Sequence, residues 1–439
     1  MQRPRDPVSP APAAPIFAGL RVIDCASFIA GPAAATILAD FGAEVIKIEP
    51  PIGGDPYRGL AAMPGQPASP HNYNWLLDAR HKRSLALDLK SPEGRAILHR
   101  LVASADVFIT NMPLPVRGRL GIAHADLAAR NPRLIYASLT AYGEIGEEAG
   151  RTGFDSTAYW ARSGLMDQVR PSADTPPARS VPGMGDHPTA MALYAAIVTA
   201  LLRRERTGQG GHVETSLLAN GLWANACFVQ AALCGATFYP RPPREQAPNA
   251  CTHHYQSSDG RWFILSMLSE ERQFPDLARA IGQEHLSEDP RFATTAARHA
   301  NAAPLIALLD GVFAAQPLAH WRETLDRHGL TFGIVATMDD PPRDRQARAI
   351  GALVPLAEGA FLTVSSPFQI AGEHKIPPRR APELGADTNS ILREMGVSEA
   401  EIERLRGLGV VAGGDSLPGP RIPGMMQERP GYDRGCAPA

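Results

Sequence analysis

Leu20-Arg21-Val22-Ile23-Asp24-Cys25 and Glu44-Val45-Ile46-Lys47-Ile48-Glu49, joined through Gly31-Pro32 and Gly42, decide the fold. Each run is apolar and β-branched, so each predicts a buried strand. Gly31-Pro32 opens a helix over 33–41, because proline suits a first turn whose N–H groups have no partner. Gly42 ends that helix, and Pro50-Pro51 stops the second strand. Strand, helix and strand in this order form a βαβ unit, and therefore a parallel sheet. The first turn, Ser27-Phe28-Ile29-Ala30-Gly31-Pro32, lacks the G-x-G-x-x-G spacing, so no dinucleotide site is read from it.

The alternation continues outward. Ser84 to Leu89, Asp106 to Asn111 and Asn131 to Leu139 predict further strands, and Ser91-Pro92-Glu93-Gly94 starts a helix running to about Ser104. A doubly wound α/β domain follows. Residues 218–237 predict a helix, and Tyr255 to Leu265 predicts a hairpin with Asp259-Gly260 at its turn. Helices over 270–330 complete a smaller α+β domain. Past residue 330 the pattern returns to a strand, a Pro382-Glu383-Leu384-Gly385 loop and two helices over 387–395 and 398–406. The expected divisions are a disordered tail at 1–15, a first α/β part at 16–217, a linker helix and small domain at 218–330, a return at 331–412 and a flexible tail at 413–439.

The 439 residues carry 43 Lys and Arg against 45 Asp and Glu, a net charge of −2, which argues against a nucleic-acid or anionic-membrane partner. Five cysteines without C-x-x-C spacing suggest a reduced compartment and no zinc site. Cys251 with His253 and His254 lacks a second ligand pair, so the expected metal content is none. Met1 to Pro15 has no apolar core of a signal peptide, and no run is long enough to span a bilayer. The expectation is a soluble cytoplasmic protein.

Gly183-Met184-Gly185-Asp186-His187-Pro188-Thr189 leads into a long apolar helix over about 189–206, with Gly208 as its stop. Asp186 therefore lies at or just before a helix N-terminus, where the helix dipole favours an ionised carboxylate. Such a carboxylate is either a cap or a nucleophile toward an activated carbonyl. The seven residues leave both open. His187 is either a neighbour in that turn or a base.

Several stretches together resemble the class III CoA-transferase (CaiB/BaiF) family, which includes formyl-CoA transferase, carnitine CoA-transferases and α-methylacyl-CoA racemase. They are Ala30-Gly31-Pro32, Leu38 to Glu49, Lys82 to Lys90, Pro92-Glu93-Gly94, Gly153-Phe154-Asp155, Gly185-Asp186, Arg204 to Gly210 and Pro382 to Gly385. They keep the family's order over roughly residues 18 to 410. The resemblance implies a large Rossmann-like domain built from both chain ends, a smaller inserted domain and an interlocked homodimer. It also implies that Asp186 is the covalent nucleophile of a ping-pong reaction. Coenzyme A then moves from an acyl-CoA donor to a carboxylic acid through an aspartyl-CoA thioester. Coenzyme A enters as substrate, and no permanently bound cofactor is expected.

By family position, Leu87, Lys90, Asn111, Met112, Arg119 and Leu120 are expected to line the CoA groove. Arg80, Lys82 and Arg83 are either phosphate contacts or a solvated strand edge. Phe28, Ile29, Ala30, Phe154, Asp155 and Gly185 are expected around the nucleophile. Backbone N–H groups near Ile29, Ala30, Gly183 and Gly185 are candidate oxyanion donors. Racemase relatives carry a histidine where Phe154 stands, and phenylalanine cannot exchange a proton. Ile29 stands where formyl-CoA transferase has a glutamine. Phe28, Ile29 and Phe154 together suggest a partly apolar acyl pocket. His253, His254 and Tyr255 are candidates to meet a further polar group on the acid. Acyl-CoA racemisation and non-catalytic acyl-CoA binding are the competing functions.

Overall fold

The computed structural model describes residues 14–356, 359 and 361–414. Apart from Ala14, Pro15, Gly413 and Gly414, the two expected tails lie outside the described residues. In chain order come β1 (Arg21–Asp24), α1 (Ala30–Asp40), β2 (Glu44–Glu49), α2 (Tyr73–Asp78), β3 (Arg83–Leu87), α3 (Pro92–Val102), β4 (Val107–Thr110), α4 (Leu114–Leu120), α5 (His124–Ala128) and β5 (Ile135–Thr140). A π-helix at Asp155–Ala161 precedes α6 (Leu165–Gln168), α7 (Asp186–Thr207), β6 (Gly211–Ser216), α8 (Leu217–Ala224) and α9 (Ala226–Leu233). Next come β7 (His254–Gln256), β8 (Trp262–Leu265), α10 (Glu270–Ala280), α11 (Thr295–Ala300), α12 (Ala302–Phe313), α13 (Leu318–Arg327) and β9 (Phe332–Ile334). The described chain finishes with α14 (Arg345–Ala349), β10 (Leu353–Pro355), β11 (Leu362–Val364), α15 (Thr388–Glu394), α16 (Glu399–Gly407) and β12 (Val411–Ala412).

Two compact units result. The first is built from described residues of 1–154, 183–220 and 355–439, the second from 155–182 and 221–354. The first holds a seven-stranded sheet in the order β12-β3-β2-β1-β4-β5-β6. Its neighbours are parallel, except that β12 runs antiparallel to β3. β4 and β5 are buried along their whole length, as a sheet covered on both faces requires. The strand order reverses at β1, where Val22 pairs with Val45 on one side and Val107 on the other. In such sheets the carboxyl ends of the strands at the reversal, here β1 and β4, are the usual ligand position. The wholly buried, alanine-rich α1 packs against α7. Both helices precede or follow parallel strands, so their N-termini lie at that carboxyl edge.

The second unit has a three-stranded antiparallel sheet, β7-β8-β9. Tyr255, Phe263, Phe274, Phe313 and Trp321 fill its core with helices α10 to α13. Among the described residues no single helix is long and apolar enough to cross a membrane.

Several local expectations shift. The long helix starts at Asp186 and not at Thr189, so Gly185 is its cap. The helix expected over 218–237 breaks at Asn225, whose Nδ2 donates to the Ser163 carbonyl at 2.9 Å. The strand expected over 131–139 is Ile135–Thr140, because the Asn131 side chain is engaged by the Val102 and Ala105 carbonyls.

Candidate functional site

The site is built on two turns at the carboxyl edge of the first unit's sheet. The β1–α1 turn is fixed from beneath by buried lysines. Lys47 donates to the Ala26 carbonyl, and Lys82 donates to the Pro32 carbonyl at 2.7 Å. Their charges are met by Asp55, 2.8 Å from Lys47, and by Asp24, 2.8 Å from Lys82. Burial works against a charged Asp24, yet the two lysines hold its carboxyl below the usual carboxylate range. From above, Asn111 after β4 clamps the turn in both directions: Ser27 N donates to its Oδ1 at 2.8 Å and its Nδ2 donates to Ser27 O at 2.7 Å. Gly31 is required here, because a Cβ would sit 2.6 Å from the Ala26 Cβ.

Phe28 pays for this turn with a φ of 63°, uncommon for a bulky residue. Its N–H donates to Asp55 Oδ1 at 3.1 Å. Its ring meets Phe154 edge-on, 5.6 Å between centroids, and Phe154 is 58% exposed. Ile29 caps α1 without a side-chain acceptor, so Ala30 opens a helix whose first N–H groups have no side-chain cap.

The second turn carries Asp186. Gly183 has a φ of 82°, and a Cβ there would lie 3.0 Å from the His187 ring and 3.7 Å from Ile29 Cδ1. A side chain at residue 183 would therefore crowd the His187 ring on a left-handed backbone, and glycine avoids both. Asp186 is the first residue of a 22-residue helix and is partly buried. The Thr189 hydroxyl and N–H both donate to the Gly185 carbonyl, tightening the turn.

A buried set that the sequence did not reveal stands beside it. The Tyr57 hydroxyl donates to Asp78 Oδ2 at 2.5 Å, and His187 Nε2 lies 3.1 Å from Asp78 Oδ1. Burial and then the Asp78 and Asp186 carboxylates push the Tyr57 phenol far up, so it stays protonated. Burial opposes charge on His187, but Asp78 and then Asp186 outweigh it and raise its pKa. Asp78 ends α2, more than a hundred residues away in sequence, and nothing in its local pattern marks it.

Other expected residues fall elsewhere. Leu87 is enclosed in the sheet core, so its side chain does not line a groove. Met112 and Leu120 pack against the same core, while Lys90 and Arg119 face solvent. The basic cluster is neither a phosphate site nor a solvated edge. Arg80 is buried in a two-pronged pair with Asp40, Lys82 pairs with Asp24, and Arg83 bridges Glu44 and Glu394. In the second unit Asp155 opens the π-helix and is buried. Tyr255 is buried with its hydroxyl on the Ala250 carbonyl, which removes it as a substrate contact. His254 is exposed, and burial followed by Arg244 lowers His253 to about 4.

Cys251 is buried and its thiol is pushed up to about 12 by burial, unlike a metal-binding thiolate. Among the described residues, Glu144, His212 and Glu214 bring ligand atoms within 4.8 Å of one another. Glu144 already accepts from Arg117 and from Ser138 at 2.6 Å, so its charge is balanced within the protein.

Comparison with known proteins bears on this arrangement. The sequence model of CoA-transferase family III matches residues 17–388. The chain belongs to this family. It is 32% identical over 399 residues to the cinnamoyl-CoA:phenyllactate CoA-transferase of Clostridium sporogenes, covering 89% of this chain and 96% of that one. It is 30% identical over 401 residues to the (R)-2-hydroxy-4-methylpentanoate CoA-transferase of Clostridioides difficile, covering 90% and 99%. The crystal structure of a CaiB/BaiF family protein from Brucella suis superposes with a TM-score of 0.77 at 30% identity, over 87% of this chain and all of that one (100%). The family III chain is thus an enzyme of the CoA-transferase class, acting on CoA thioesters.

Proposed function

We propose that the protein transfers coenzyme A from an acyl-CoA donor to a carboxylic acid through a covalent aspartyl-CoA thioester on Asp186. The observation that carries this reading is the placement of Asp186 as the first residue of α7, the helix that packs against α1. An Asp186 oxygen attacks the thioester carbonyl, and the tetrahedral adduct expels the CoA thiolate, leaving a mixed anhydride of Asp186 and the donor acid. The thiolate then attacks the aspartyl carbonyl, releasing the donor acid and leaving the aspartyl-CoA thioester. An acceptor carboxylate attacks that thioester, and the expelled thiolate takes the new acyl group, restoring Asp186. No proton is consumed. The uncapped first turn of α1, at Ile29 and Ala30, is proposed to supply N–H groups to the oxyanions.

Phe154 supports transfer over racemisation, since it offers no acid or base for the α-carbon. The Phe28–Phe154 pair favours an acid with an apolar body, as do the two named transferases. Lys90, Arg119 and Asn111 are proposed to contact CoA. The apolar Trp223 and Leu233, 82% and 77% exposed, support a homodimer, which a monomeric sedimentation profile would overturn. The proposal places the reaction in the cytoplasm, and activity confined to a membrane or secreted fraction would overturn that.

The test is a panel of acyl-CoA donors against acids, with mass spectrometry for a CoA adduct on Asp186. Asp186→Ala is expected to keep CoA binding and lose turnover. Full activity in that variant overturns the mechanism.

A further inference from the structure

We propose that His187 is a positioning residue for Asp186, a fixed imidazolium whose charge favours return of the aspartyl-CoA thioester to the free carboxylate. The proposal rests on the covalent reading above.

Both ring nitrogens of His187 meet oxygen atoms. Nδ1 lies 3.1 Å from the Gly183 carbonyl, which can only accept. Nε2 lies 3.1 Å from Asp78 Oδ1, while Asp78 Oδ2 accepts from Tyr57. Two acceptors on two ring nitrogens are both satisfied only by two N–H groups, which is the imidazolium form. The groups facing it are Asp78 at the end of α2, Asp186 beside it on α7, and the Gly183 carbonyl, with Tyr57 and then Asp55 behind Asp78. Asp78 is 4% exposed at its side chain, whereas the His187 side chain is 45% exposed. The carboxylate is the fixed half of the pair.

With both N–H groups engaged, His187 has no lone pair with which to act as a base. Its effect is electrostatic. While Asp186 is a free carboxylate, the imidazolium lies beside two negative charges. In the aspartyl-CoA thioester the charge on residue 186 is gone, and that half of the attraction is lost. His187 therefore stabilises Asp186 as the departing carboxylate and disfavours a stranded thioester. Its bond to the Gly183 carbonyl also holds the turn that aims Asp186.

The experiment measures charging and discharging of Asp186 separately. The full chain is mixed with acyl-CoA, the adduct is quantified by intact-protein mass spectrometry, and an acceptor acid is then added in a rapid-quench series. For His187→Gln, discharge is expected to slow about tenfold, the equivalent of one pKa unit of field on Asp186, and adduct occupancy to rise. In the wild type, discharge is expected to fall as pH rises through the His187 pKa, and this limb is expected to vanish in His187→Gln. Asp78→Asn is expected to move the limb to lower pH, a shift that a purely structural role does not produce. Equal discharge rates in wild type and His187→Gln, or a limb unmoved in Asp78→Asn, overturn the role of His187 alone. If the wild type forms no adduct on Asp186, the covalent reading falls and this inference with it.

Discussion

His187 Nε2 sits 3.1 Å from Asp78 Oδ1, so two residues 109 positions apart form a pair beside the N-terminus of α7. A histidine whose pKa is raised on folding contributes stability that is complete below its unfolded value of about 6.5. That contribution is lost as pH rises through the folded value. Urea unfolding of wild type and Asp78→Asn across pH 5.5 to 9 is expected to show the largest gap at the acid end. A gap that grows toward high pH would contradict the pairing.

Asp40 gives the opposite slope. Burial resists its charge, but His81 and then Arg80, which pairs with it through two N–H groups, hold its carboxyl well below the usual range. The stability it supplies is present above the unfolded value of about 3.9 and fades as pH falls below it. The stability difference between wild type and Asp40→Asn is therefore expected to be full at pH 6 and to shrink below about pH 4. Acid titration followed by circular dichroism measures it.

Lys82→Met leaves the buried Asp24 with Lys47, 3.8 Å away, and the Ala26 N–H, and removes one of the donors to the Pro32 carbonyl. Breaking one side of a buried pair costs roughly 3–5 kcal/mol. A urea midpoint shift of that size is expected. A shift under about 1 kcal/mol would mean that the lysine is dispensable.

Gly183→Ala places a methyl group against the His187 ring at a φ of 82°. The left-handed backbone alone costs about 1–2 kcal/mol for a non-glycine residue. Turnover is expected to drop more than the melting temperature suggests, because the turn carrying Asp186 must move. Unchanged kcat with a lowered melting temperature would separate the turn from the chemistry.

Phe154→Ala removes an exposed ring that meets Phe28 edge-on, a contact worth about 0.5–1.5 kcal/mol. KM for aromatic or branched acyl groups is expected to rise several-fold, with little change for short acids. An equal change for both classes would show that the pair does not line the acyl pocket.

The sheet was legible because its strands carry β-branched residues between glycines and prolines, as Val45, Ile46 and Ile48 do between Gly42 and Pro50. The position of Asp186 at a helix start was legible because Gly185 and Pro188 bracket it. Its supports were not. Tyr57 and Asp78 lie in a Gly/Pro-rich loop and at the end of a six-residue helix, and only the tertiary fold brings them to His187. The basic run at 80–83 misled for the same reason. Charge patterning reads it as surface, whereas Asp40 and Asp24 receive it inside the protein. Leu87 likewise carries a strand's alternation but not the fact that β12 closes its edge.

The antiparallel pairing of β12 with β3 sets a timetable for synthesis. Val411 pairs with Leu87 and Ala412 with Ala86, while the Asp387 carboxylate takes the Ser84 N–H at 2.8 Å across 303 positions. A ribosome that has finished β3 must make some three hundred further residues before that edge is covered. Throughout that interval β3 presents open N–H and C=O groups to other nascent chains. A chain truncated ahead of Asp387 is therefore expected to keep the β3 edge open and to associate through it, and β12 is the clasp that closes that edge.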